Sequence, residues 1–76
     1  MIHLKNLRIY DLPNGKRKLV ALHDENGQYS LYDLEHGTLL PPRYKVDADG
    51  RLINWYGDFP IFTVDNLVDT GEDYQQ

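Results

Sequence analysis

The 76-residue chain predicts a small all-β domain: one antiparallel meander of five or six strands, curled into a barrel or strongly bent sheet, with little helix. Three observations carry this expectation. Turn dipeptides recur at roughly 8–12-residue spacing: Asn14-Gly15, Asn26-Gly27 and Asp49-Gly50, with His36-Gly37 as a weaker fourth. Between them lie short runs rich in β-branched, aromatic and leucine side chains. Several of these runs are apolar on both alternating faces, so the sheet must fold over itself or be covered.

The first strand is expected over Ile2–Tyr10. Ile2 and Leu4 share one parity while Leu7 and Ile9 take the other, so a bulge at Lys5-Asn6 should bend it. The second, Lys18–His23, is apolar on both parities from Leu19 to Leu22 and should be central, covered on both sides. In the third, Gln28–Leu34, Tyr29 and Leu31 face one way and Tyr32 and Leu34 the other. The fourth begins at Thr38–Leu40 and extends as far as Val46 across Pro41 and Pro42. Proline has no N–H to donate, so the pair is expected outside any central ladder, breaking or edging the strand. Arg51–Tyr56 and Pro60–Val64 complete the sheet. Asp65 to Val68 is the one segment with a helix cap ahead of apolar residues, and Gly71 would stop it early. The domain is expected to span 1–68, with 69–76 as an acidic, flexible tail.

Two stretches carry local resemblances. Asp24 to Gly27 followed by Tyr32 echoes Asp47 to Gly50 followed by Trp55, and the shared chemistry is that of a turn. The segment "HDENGQYSLYDLEHG" resembles one hairpin of a WD-type propeller blade, with Tyr32-Asp33 where Trp-Asp would stand. A propeller needs at least about four blades of four strands, more than this chain can supply. Pro41, Pro42 and Tyr44 resemble the PPxY ligands that WW domains grip as polyproline II, but here they sit inside a strand-forming run.

Composition removes several activities. Cysteine is absent, which excludes disulfides, thiolate metal sites and thiol nucleophiles; neither a metal nor another cofactor is expected. No apolar run approaches the ~20 residues that span a bilayer, and Lys5 and Arg8 interrupt the N-terminal one, so a cytoplasmic protein without a membrane partner is expected. The net charge of -4 is graded along the chain: residues 1–18 sum to +4, 19–46 to -2 and 47–76 to -6.

Catalysis has little to work with. Ser30 is the single serine, and His23 and Asp24, as strand neighbours, would point apart. Asp47, Asp49 and Asp58 supply carboxylates, but so small a domain has little room for a cleft that perturbs them. The histidines, at 3, 23 and 36, have no ligand spacing. Lys16, Arg17 and Lys18 form a compact basic run suited to nucleic acid, opposed by the negative net charge. The aromatic content is the strongest binding signal: Tyr29, Tyr32, Tyr44, Trp55 and Tyr56 exceed what a small core can bury, and interfaces favour such anchors. The chain is therefore expected to be a non-enzymatic protein-interaction module or accessory subunit. Its partner would be another protein or a second copy of itself in a homodimer, met through surface aromatics and sheet edges. The alternative is a nucleic-acid-related role, either binding at the basic hairpin or acidic mimicry that blocks a nucleic-acid-binding protein. A small enzyme with a carboxylate site ranks below both.

Overall fold

In the computed structural model, residues 3–13, 15, 17–57 and 60–75 are described. They form seven strands: β1 (Arg8–Asp11), β2 (Lys18–His23), β3 (Tyr29–Glu35), β4 (Thr38–Val46), β5 (Arg51–Asn54), β6 (Pro60–Thr63) and β7 (Val68–Asp73). A single 3-10 turn, Val64–Asn66, stands between β6 and β7. All seven make one sheet in the order β6-β5-β4-β3-β2-β1-β7, antiparallel throughout. The all-β meander is as expected, with one strand more.

That extra strand is β7, and it corrects the expected tail. Residues 69–73 pair with β1, and the Arg8 side chain crosses to them, Nε to Asp73 at 2.8 Å and Nη1 to Asp69 at 3.0 Å. Thr70 Oγ1 donates to the Ile9 carbonyl at 2.7 Å. The acids that suggested a solvated tail are thus partners for the basic first strand. The Asp69 carboxyl is held below the ordinary Asp range, first by the Gly71 N–H and then by Arg8.

β7 also explains the curl. In a wholly antiparallel sheet the outermost strands of this order run in the same direction, yet only the 3-10 turn and Leu67 separate them. Thr63 to Val68 can span at most about 17 Å, whereas a flat seven-stranded sheet would hold its edges about 29 Å apart. The sheet must therefore bend until its edges approach, giving a half-barrel of 30 × 28 × 24 Å.

The concave face holds the core. Tyr10, Leu12, Leu19, Ala21, Leu31, Tyr44, Leu52, Val64 and Leu67 are buried there, with Leu4, Tyr29, Val46 and Phe62 packed against them. The Tyr10 phenol accepts the Lys5 N–H at 2.9 Å, and its burial pushes its pKa up. The opposite face carries a lateral row, Ile9, Val20, Tyr32 and Pro42, set side by side by the strand register. Val20 and Ile9 are buried in that row, so β2 is covered on both sides as its pattern required.

Local chemistry refines the expected elements. The parity switch near the N-terminus is a tight turn rather than a bulge: Arg8 N–H donates to the Lys5 carbonyl and Leu7 takes φ 72. β1 consequently starts at Arg8, and Ile2 lies outside the described residues. The Asp24–Gln28 and Asp47–Arg51 turns share one design. In each, a leading aspartate accepts two backbone N–H groups through Oδ1, from Asn26 and Gln28 or from Asp49 and Arg51, and only the glycine is left-handed. The weaker signal, His36-Gly37, is the two-residue turn with both residues at positive φ, 51 and 76. It joins Glu35 directly to its partner Thr38.

Pro41 and Pro42 correct a second expectation, since they lie within β4, an interior strand paired with β3 on one side and β5 on the other. Two local features accommodate them. From Leu31 to Leu34 β3 advances three residues, while its partner stretch from Tyr44 back to Leu39 advances five, so β4 bulges there by two residues. In addition, β5 pairs with β4 only at Tyr44, Lys45 and Val46, leaving the proline stretch without a strand on that flank. Prolines therefore sit where a ladder donor is least needed.

Candidate functional site

The same mismatch between a nine-residue β4 and a four-residue β5 opens a groove. Beyond Asn54 the chain turns away through Trp55 and Tyr56, closed by the Gly57 N–H on the Asn54 carbonyl at 3.2 Å. The space left is a cavity of about 260 Å³ lined by Asp33, Leu40, Pro41, Pro42, Arg43, Asn54 and Tyr56. Its walls are mixed: Leu40, the two prolines and Tyr56 supply apolar surface, and Asp33, Arg43 and Asn54 supply polar groups. At one side Arg43 Nε donates to Asp33 Oδ2 at 2.6 Å, with Arg17 Nη1 3.4 Å from the same oxygen. Asp33 itself is well covered, its side chain 13% exposed against 36% for Arg43 and 47% for Arg17.

The five aromatic candidates do not share one surface. Tyr44 is a core residue, 5% exposed, and in the folded chain it offers nothing to a partner. The PPxY resemblance fails with it, because such a ligand must present its tyrosine. Tyr29 packs against the core on the same concave face and stands edge-on to His23 at 5.4 Å. Tyr32, one residue on from Leu31, belongs to the convex row and is half-buried. Trp55 is half-buried, with Lys45 Nζ 5.6 Å from its ring centre. Tyr56 alone of the five is fully out in solvent, at 88% exposure, and it is the one that lines the groove. The groove's other walls, Pro41 and Pro42, stand out in the sequence, but Asn54, Asp33 and Arg43 join them only through register.

The basic run is largely engaged. Lys18 Nζ pairs with Asp11 at 3.1 Å and Arg17 with Asp33, while Lys16 lies outside the described residues. Among the carboxylates that the sequence offers for catalysis, Asp47 and Asp49 both bond Arg51, and Asp58 lies outside the described residues. The Asp47 carboxyl is held below its usual range, chiefly by the Arg51 backbone N–H. A second cavity on the convex side, about 440 Å³, brings together His23, Asp24, Ser30 and Tyr32. No hydrogen bond links Ser30 to His23 among the described residues: the His23 ring meets the Asp24 carbonyl, and Asp24 Oδ1 caps its turn. That is not a nucleophile–base pair. Among the described residues no helix is long and apolar enough to cross a membrane, and no group of three His, Asp or Glu could hold a metal ion.

Comparison with protein-family models, with curated proteins and with solved structures returned no match.

Proposed function

We propose that this chain is a non-catalytic protein-interaction module that docks an extended segment of a partner protein in the groove between β4 and the turn that follows β5 at Trp55 and Tyr56. One observation carries this: Tyr56, 88% exposed, stands beside a preformed cavity walled by Leu40, Pro41 and Pro42. A large aromatic held in water at the rim of an apolar groove is poor economy for the fold alone and a common anchor for a partner. Prolines add rigid apolar surface with little conformational entropy to lose on binding.

The sheet edges contribute less than the groove. The free flank of β4 carries two residues without an N–H, β6 begins with a third proline, and β7 exposes Asp69, Glu72 and Asp73. These are the devices that keep an edge from accepting another strand. Recognition therefore falls to side chains in the groove.

The test is affinity capture from the source cell with the folded wild-type chain and Tyr56→Ala in parallel. Partners retained by wild type and lost by the variant are the expected result. Identical retention by a folded Tyr56→Ala chain would refute the proposal.

A further inference from the structure

In the groove wall Arg43 carries more hydrogen-bond donors than its bond to Asp33 engages. Asp33 is approached by two guanidinium groups, so Arg17, Asp33 and Arg43 together leave one net positive charge in a chain of net charge -4. An arginine presents five N–H donors in a planar fork. Of Arg43's, only the Nε–H is bonded among the described residues, and its two Nη groups belong to a side chain 36% exposed on the cavity wall. Asn54 and Tyr56 add an amide and a phenol to the same lining. Asp33 bonds the guanidinium through Nε, which lowers the entropy cost that usually weakens an exposed ion pair.

We infer that the groove selects a peptide segment bearing a carboxylate, Asp, Glu or a chain terminus, gripped by Arg43 with its apolar neighbours against Leu40, Pro41, Pro42 and Tyr56. This rests on the groove being the docking surface. Charge complementarity favours a single carboxylate over a polyanion. One local positive charge suits one anionic group, whereas a phosphate backbone needs several basic contacts and would meet a chain of net charge -4. The apolar walls suit peptide side chains.

The experiment is selection of a random phage-displayed peptide library on the wild-type chain, with counter-selection on Tyr56→Ala. Recovered peptides should be enriched in acidic residues flanked by proline, leucine or aromatic ones. Replacing the selected Glu or Asp by its amide should weaken binding about tenfold, the scale of one charge-assisted hydrogen bond. Arg43→Lys keeps Asp33 paired but loses the fork, and it should erase most of that difference; Arg43→Gln should erase it entirely. Peptides that depend on Tyr56 but show no acidic preference would overturn the carboxylate assignment and leave the groove standing. Failure to recover any Tyr56-dependent peptide would remove the groove, and the assignment with it. Retention of oligothymidylate in place of peptides, lost in Arg43→Gln, would overturn it in favour of phosphate.

Discussion

Tyr44 and Tyr56 are the same side chain in opposite environments, 5% and 88% exposed, and the pair tests the whole account of this surface. Truncating Tyr44 to alanine removes a ring from the middle of the core, where it packs among residues that include Leu31 and Leu52. Loss of a buried aromatic costs about 3–5 kcal/mol. A chain of this length is expected to have only about 4–11 kcal/mol of stability in all. With a urea slope of about 1 kcal/mol/M, the unfolding midpoint should fall by about 3 M or more. At the low end of the stability range the variant would be unfolded without denaturant. Tyr44→Phe, which keeps the ring, is therefore measured beside it and should cost less than about 1 kcal/mol. Tyr56→Ala should shift stability by no more than about 0.5 kcal/mol. Urea titration followed by Trp55 fluorescence reads all three. A cost below about 1 kcal/mol for Tyr44→Ala, or above it for Tyr56→Ala, would refute the division between core and binding aromatics.

Three smaller predictions test the turns and the closing strand. Gly27 holds φ 78 with no atom within 4 Å of where a Cβ would sit, so Gly27→Ala meets only conformational strain and should cost about 1–2 kcal/mol by urea melt. His36, at φ 51 and with its side chain 92% exposed, occupies a turn position that asparagine prefers; His36→Asn should stabilise by about 0.5 kcal/mol. Asp69, held below its ordinary value of 3.8, contributes stability that is complete above that pH and is lost as the pH falls through the depressed value. An acid titration of unfolding should show Asp69→Asn less stable than wild type at neutral pH, with the difference closing below pH 3.8; a constant difference would mean that the charge is not what matters.

Much of the sheet follows from local rules. β2 occupies the expected residues because its apolar stretch has no charge or glycine inside it, and the Asp24–Gly27 and Asp47–Gly50 turns follow from an aspartate that bonds the backbone two and four residues on. Such features depend on neighbours in the chain, so the pattern of residues suffices to find them. The distinction between Tyr29 and Tyr32 follows likewise from parity, since one packs against the core and the other lies on the opposite face.

What parity cannot say is which face is covered, or which strand lies beside which. The acidic stretch from Asp69 to Asp73 has the composition of a solvated tail and becomes a strand because β1, 61 to 65 residues away in the chain, offers Arg8 and an open edge. Pro41 and Pro42, which lack an N–H, are expected outside a central strand. They fit because β5 is too short to reach them, a fact of strand length on the neighbouring hairpin. The groove is the product of that same shortfall. Its residues come from β3, β4, the end of β5 and the turn just beyond it, and they meet only once register and curl are set. Most strands and the turns are therefore written locally, whereas β7 and the candidate site, built from long-range pairing, belong to the tertiary structure.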